Sequence, residues 1–193
     1  MPCFAANLSM LFTEVAFLDR FAAAAEAGFK AVEYLFPYAH ARDDVAERLR
    51  GNGLEQVLFN LPAGDWEGGD RGIACDPARI GEFQAGVGTA IDYARSLGCP
   101  RLNCLAGIAP EGVAAERVRE TFVSNLRFAA AALAEAGLTL VTEPINTRDI
   151  PGFFLRGTEQ AAAIIAEAGA TNLKLQYDVY HMQIMEGDLA PTI

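Results

Sequence analysis

The sequence predicts an α/β protein of the TIM (β/α)8-type barrel class, with about six of the eight βα units present. Three observations lead to this class. Short apolar runs alternate with longer helical patterns along the whole chain, and each run has a polar residue at or near its end. No glycine-rich turn follows the first run, as it would in a dinucleotide-binding open sheet. Strict alternation of this kind predicts a parallel sheet covered by helices.

The predicted strands are short apolar runs. They cover residues 4–7, 31–35, 55–60, 101–105, 138–143 and 173–178. The predicted helices cover residues 14–27, 43–50, a segment that ends near 97, 111–135 and 158–168, and residues 180–193 begin another. Gly28 is the expected stop of the first helix. Because no linker or low-complexity stretch interrupts this alternation, we interpret residues 1–193 as a single incomplete barrel domain.

The polar strand ends predict both the place of a functional site and the size of a complete barrel. They are Asn7, Glu33, Asn60, Asn103, Glu143 and Asp178. The carboxyl ends of parallel strands meet at one face, where barrel enzymes keep their chemistry. These residues recur about every 34 positions, so eight units need about 270 residues, and we interpret the chain as truncated by about two units. The alternative is a natural six-unit open sheet with two unpaired edges.

The composition limits the partners and the location. The formal net charge is −10 and the sequence pI is about 4.6, which argues against nucleic acid and anionic membranes because both bind clustered Lys and Arg. One local cation can still bind a small anionic substrate. The cysteines show no CxxC spacing, the N-terminus has no signal-peptide pattern, and no apolar run reaches a membrane span. We therefore expect a small-molecule partner and a cytoplasmic location, with a homo-oligomer left open.

Glu143 and Asp178 are the first candidates for a functional site. They end neighbouring predicted strands, and adjacent parallel strands lie ~4.8 Å apart, so the two carboxylates can share one divalent cation. Oxygen ligands favour Mg²⁺ or Mn²⁺. Glu143, expected to be half-buried, also suits a proton-transferring base. From position alone, Glu143 could instead be satisfied by loop amides or Arg148, and Asp178 could simply cap the next helix.

Three further residues are candidates for substrate binding. His181 is expected to face the same mouth, where it could hydrogen-bond a substrate oxygen, ligate the metal or cap the loop. Glu33 could orient a substrate hydroxyl or hold a neighbouring strand end. Arg71 shares a long loop with Trp66, the single Trp of the chain. Such a loop could form a lid whose cation meets a carboxylate, or a surface loop that Trp66 packs.

Several stretches of the chain together resemble one known family. They are FAANLSMLFTEVAFLDRFAAAAEAGFKAVEYLFPY (4–38), LFNLPAGDWEGGDRGIA (58–74), LNCLAG (102–107), EPINTRDIPGFFL (143–155) and LQYDVYHMQIMEGDL (175–189). The chain is similar in these stretches to the hydroxypyruvate isomerases of the xylose-isomerase-like TIM-barrel superfamily. EPINTRDIPGFFL and the YDVYHMQ run are the most specific.

The resemblance implies a reaction and roles for some residues. The reaction is the interconversion of hydroxypyruvate and 2-hydroxy-3-oxopropanoate (tartronate semialdehyde) by metal-assisted proton transfer through an enediolate. Glu143 and Asp178 match the first two metal ligands of the family, and the other two would lie beyond Ile193. Glu143 also matches one of two catalytic Glu residues, and His181 matches a substrate-contacting His. We choose Arg71 for the substrate carboxylate. The alternatives are a ketose 3-epimerase of the same superfamily and a non-catalytic fragment that lacks half the site.

Overall fold

The computed structural model describes residues 3–192 of the chain. Six parallel strands form one sheet in which the spatial order of the strands is their order in the sequence. The strands are β1 (Ala6–Asn7), β2 (Ala31–Glu33), β3 (Glu55–Asn60), β4 (Arg101–Cys104), β5 (Thr139–Thr142) and β6 (Leu173–Leu175). Consecutive parallel strands with a helix between each pair form the wall of a barrel, so the predicted fold class is confirmed.

The helices cover the sheet. They are a 3₁₀ turn (Phe17–Asp19), α1 (Arg20–Glu26), α2 (Arg42–Gly51), α3 (Ile80–Leu97), α4 (Ala115–Glu135), α5 (Thr158–Ala168), α6 (Val179–Met185) and α7 (Leu189–Thr192). One connected hydrophobic core joins the helices to the strands, and it includes the fully buried Phe21, Phe59 and Phe122. Burial of each such ring stabilises the fold by roughly 2–3 kcal/mol. No helix within residues 3–192 has the length and apolar character that a membrane span requires.

The first helix is shorter than the predicted range of residues 14–27. Phe12 has a φ of 60°, in the left-handed region, and Ala16 is extended with a ψ of 149°. Neither conformation belongs to an α-helix. The chain therefore makes a 3₁₀ turn first, and α1 begins only at Arg20.

Several other boundaries also differ from the sequence expectation: β1 and β2 are shorter than the predicted 4–7 and 31–35, and residues 179–192 contain α6 and α7 instead of one helix. The helix expected over residues 111–135 begins at Ala115, because Gly112 has a φ of +74° and interrupts the backbone before it. The strand expected over 173–178 ends at Leu175, and Asp178 already caps α6. The helix expected over 158–168 matches α5 at both ends.

The pairing of the strands brings their carboxyl ends to one face of the sheet. Asn7 pairs with Glu33 in the register of β1 and β2, and Asn60 pairs with Asn103 in that of β3 and β4. The backbone N–H of Gln176 donates to Thr142 O at 3.0 Å. This last bond places the residues that follow β5 and β6 side by side. Among residues 3–192, β1 pairs only with β2 and β6 only with β5, so this sheet is an open wall.

Candidate active site

Glu143 follows β5 directly and is buried, with 6% of its surface exposed. Two side-chain amides hold one oxygen of its carboxylate. Asn103 Nδ2 donates to Oε2 at 3.1 Å, and Gln176 Nε2 donates to the same atom at 3.0 Å. Asn103 Nδ2 also donates to Asn60 Oδ1 at 3.0 Å, which ties the ends of β3, β4 and β5 together. Both amide bonds to the carboxylate go to Oε2, so Oε1 is left without an amide partner.

Asp178 lies beside Glu143 and caps α6. Its Oδ1 accepts a hydrogen bond from the backbone N–H of His181 at 3.0 Å. The capping role that the sequence left open is therefore present, and it uses one oxygen of the carboxylate. The second oxygen, Oδ2, lies 4.0 Å from His181 Nε2. The cap therefore uses Oδ1 and holds Asp178 in place, and Oδ2 is the oxygen that lies near the His181 ring.

Glu143, Asp178 and His181 form a cluster that could hold a metal ion. One ligand atom from each residue lies within 4.8 Å of the others. Burial raises the pKa of Glu143 to about 8, and the negative charge of Asp178 adds to this effect, whereas the bonds from Asn103 and Gln176 oppose it. The pKa rises because the surrounding groups compensate the buried charge only in part. A divalent cation between the carboxylates would supply the missing positive charge, so the donor set fits such an ion.

Glu33 belongs to the same cavity. Asn7 Nδ2 donates to Glu33 Oε1 at 3.0 Å. Burial raises the pKa of the Glu33 carboxyl, the bond from Asn7 opposes this rise, and the charge of Asp178 adds to it. The charge of Asp178 therefore disfavours ionisation of Glu33, which adds a further carboxyl group to an already acidic site.

Arg71 contacts Trp66, a residue that lines the cavity, but does not line the cavity itself. Its guanidinium carbon is 4.5 Å from the centre of the Trp66 ring, and Nη1 donates to the carbonyl oxygens of Trp66 at 3.0 Å and Asp70 at 2.7 Å. The structure thus joins Arg71 and Trp66 in one loop, as expected, and binding of a substrate carboxylate by Arg71 stays a prediction.

The cavity at this end of the sheet has a volume of about 220 Å³. Its polar lining includes Asn7, Glu33, Asn60, Glu143, Asp178 and His181. The structure therefore collects four of the five predicted site residues around one cavity. Sequence reasoning missed Gln176, whose amide contacts Glu143, and Asn146, whose amide contacts His181. The available signal for Gln176 was a polar residue one position after an apolar run.

Comparisons with known proteins relate this chain to one protein family and to isomerases. Residues 21–193 match the family described as "Xylose isomerase-like TIM barrel". The chain is 53% identical over 190 residues to a 2-oxo-tetronate isomerase of Cupriavidus necator and, equally, to a hydroxypyruvate isomerase of Escherichia coli. These matches cover 98% of this chain and 73% and 74% of those proteins.

A solved structure has the same fold along the whole chain. It is a Brucella melitensis protein described as "AP endonuclease, family 2", which is 47% identical with a TM-score of 0.97. The match covers 100% of this chain and 74% of that one. The chain thus spans about three quarters of the length of all three proteins.

Proposed function

Because the chain belongs to the xylose isomerase-like TIM barrel family and is an isomerase related to hydroxypyruvate and 2-oxo-tetronate isomerases, we propose that it interconverts hydroxypyruvate and 2-hydroxy-3-oxopropanoate. The observation that carries the proposal is the cluster of Glu143, Asp178 and His181 beside a cavity of about 220 Å³. A cavity of this size suits a three-carbon acid better than a polymer. We also propose a cytoplasmic location.

The reaction needs one proton to move between two adjacent carbons. A base removes a proton from C3 of hydroxypyruvate, an enediolate forms across C2 and C3, and a proton returns to C2. The hydroxyl proton on O3 transfers to O2, so the atoms balance without an oxidant or a reductant. An acid/base group near both carbons is therefore sufficient for the proton transfer.

Glu143 is the residue that suits this proton transfer. Its buried position strengthens a carboxylate as a base, because burial disfavours the charged form. The amides of Asn103 and Gln176 bind Oε2 and hold the side chain in one orientation, so Oε1 is available to the substrate. In this proposal Oε1 takes the proton from C3 and returns it to C2.

Glu143 and Asp178 would hold the divalent cation, Mg²⁺ or Mn²⁺. When bound, this ion would stabilise the negative charge that develops on the substrate oxygens. The chemistry of the donors supports this proposal, since the carboxylates of both residues are hard oxygen ligands. His181 and Glu33 would bind substrate oxygens from two sides of the cavity, and Arg71 would meet the substrate carboxylate.

A conversion assay tests the proposal. The chain, supplied with Mg²⁺ or Mn²⁺, should convert hydroxypyruvate to 2-hydroxy-3-oxopropanoate, and Glu143→Gln should slow the conversion by about 10²–10⁴-fold. Glu26→Gln makes the same chemical change at an exposed residue of α1 and should retain it. If the parent chain leaves hydroxypyruvate unchanged but epimerises a free ketose, the epimerase alternative is right. If it converts neither and does not bind Mn²⁺ in isothermal titration, the non-catalytic alternative is right.

A second substrate is supported by one specific observation. The 2-oxo-tetronate isomerase of Cupriavidus necator is as similar to this chain as the hydroxypyruvate isomerase. Its name denotes a four-carbon 2-oxo acid, one carbon longer than hydroxypyruvate. The two acids should be compared by kcat/KM on the same preparation, because this ratio measures specificity.

A nucleic-acid substrate is not part of the proposal. One related protein carries the description "AP endonuclease, family 2", but that description belongs to that protein. This chain has a formal net charge of −10. Such a charge repels a phosphate backbone, which argues against nucleic acid as the substrate.

A further inference from the structure

The orientation of the Asn146 side-chain amide is fixed by its own surroundings. Asn146 lies in the loop after β5 and is fully buried. Its Oδ1 accepts hydrogen bonds from the backbone N–H groups of Arg148 at 3.1 Å and Asp149 at 2.8 Å. A backbone N–H can only donate, so the atom that faces these two groups must be the amide oxygen. The amide nitrogen is consequently the atom on the opposite side.

That nitrogen faces two acceptors and has two protons for them. Nδ2 lies 2.9 Å from Asp149 Oδ2 and 2.7 Å from His181 Nδ1. Asp149 Oδ2 also accepts a bond from the hydroxyl of Tyr180 at 2.7 Å, as expected of a carboxylate oxygen. With one proton on each acceptor, the amide of Asn146 makes four hydrogen bonds and has no unused donor.

The bond to His181 determines which ring nitrogen has the proton. An imidazole nitrogen that accepts a hydrogen bond must present its lone pair, so Nδ1 carries no proton. A neutral imidazole has one ring proton, which then lies on Nε2. We propose that Asn146 is a positioning residue that holds His181 as the Nε2–H tautomer, so that His181 donates a hydrogen bond to a substrate oxygen.

This inference deepens the proposed function and rests on it for the identity of the substrate. His181 lines the same cavity as Glu143, and its Nε2 lies 4.0 Å from Asp178 Oδ2. A protonated Nε2 has no lone pair for a cation. Of the three residues in the cluster, the carboxylates of Glu143 and Asp178 are then the ligands, and His181 acts on the substrate. Asn146 thereby couples the loop after β5 to α6.

The tautomer can be read directly in the native chain. The sequence contains two histidines, His40 and His181, so a two-bond ¹H–¹⁵N correlation spectrum of ¹⁵N-histidine-labelled protein contains two sets of ring signals. The spectrum is recorded in chelator at about pH 8, above the ordinary histidine pKa. His40→Gln assigns the signals. We expect Nδ1 of His181 to show the shift of an unprotonated nitrogen and Nε2 that of a protonated one. The opposite pattern overturns the proposal.

A variant tests whether Asn146 is the cause. Asn146→Asp places a carboxylate oxygen against Nδ1, and we expect Nδ1 of His181 to become protonated. The matched control is Asn172→Asp, at a partly buried Asn whose Nδ2 donates to the carbonyl oxygens of Ala130 and Leu138. The control should leave His181 unchanged. An unchanged tautomer in Asn146→Asp contradicts the role of Asn146, and if this variant does not fold, the native spectrum still decides the tautomer.

The spectrum requires no substrate, so the two proposals can fail separately. A native Nε2–H tautomer in a chain that leaves hydroxypyruvate unconverted retains the role of Asn146 and refutes the proposed reaction. Conversion of hydroxypyruvate by a chain whose His181 has its proton on Nδ1 supports the proposed reaction and refutes the role of Asn146.

Discussion

Replacement of Glu143 by glutamine should change how the stability of the metal-free chain depends on pH. Burial and the charge of Asp178 raise the pKa of Glu143 to about 8 in the folded chain, from the ordinary value of 4.5. Between these two values the folded chain retains a proton that the unfolded chain has lost. The free energy of unfolding therefore falls as the pH rises through this range. Above pH 8 the contribution of Glu143 no longer changes with pH. Glutamine has no charge and removes this contribution.

The size of the effect follows from the pKa difference. One pKa unit corresponds to about 1.4 kcal/mol, so the raised pKa costs the parent chain about 3 kcal/mol at pH 7 and almost nothing at pH 4.5. Glutamine keeps an oxygen that can accept from Asn103 and Gln176, and these hydrogen bonds should survive the change. Glu143→Gln should consequently be more stable than the parent at pH 7 by up to about 3 kcal/mol.

Urea unfolding in the presence of a chelator measures this difference. The free energy of unfolding is determined at several pH values between 5 and 8 for the parent, for Glu143→Gln and for the exposed control Glu26→Gln. The gap between the parent and Glu143→Gln should widen with pH, whereas the control should follow the parent. A gap that does not change with pH would refute the reasoning, because it would show that Glu143 ionises in the folded chain as it does in water.

Three further predictions concern the metal, the substrate and the backbone. Asp178→Asn should weaken Mn²⁺ binding at least about tenfold in isothermal titration, since it removes one anionic ligand; equal affinity contradicts the site. Arg71→Gln should raise the KM for hydroxypyruvate about tenfold with little change in kcat, because it removes ground-state binding; an unchanged KM places the substrate carboxylate elsewhere. Gly107→Ala should destabilise the chain by about 1–3 kcal/mol in thermal unfolding, since its φ is +99° and a Cβ would meet the backbone of Gly72. Gly81→Ala, in open space within α3, is its control and should not destabilise.

The fold could be predicted because its signals are local and repeated. Each βα unit has an apolar run, a helical stripe and a polar strand end, and the carboxyl ends of parallel strands must share one face. Boundaries were less predictable where single residues decide them. Phe12 adopts a left-handed conformation, which a phenylalanine in the sequence does not predict. The helix α1 therefore begins later than its apolar stripe suggests.

The acidic half of the site could be predicted for the same reason. Glu143 directly follows β5 and Asp178 lies three residues after the adjacent β6, so the pairing of these strands brings the two carboxylates to the same edge of the sheet. Asn146 could not be predicted to contact His181, because its contact depends on how the loop after β5 folds back over its own amides. Gln176 is an ordinary polar residue in the sequence, and only the pairing of β5 with β6 places it beside Glu143.

Exchange of carbon-bound protons tests most directly whether Glu143 transfers the proton. Hydroxypyruvate is incubated in D₂O with Mg²⁺ and the chain, and ¹H NMR follows the loss of the C3 protons. The parent chain and Glu26→Gln should catalyse this exchange, and Glu143→Gln should slow it by about 10²–10⁴-fold, the usual contribution of a general base. Exchange in Glu143→Gln at the rate of the parent would contradict the account.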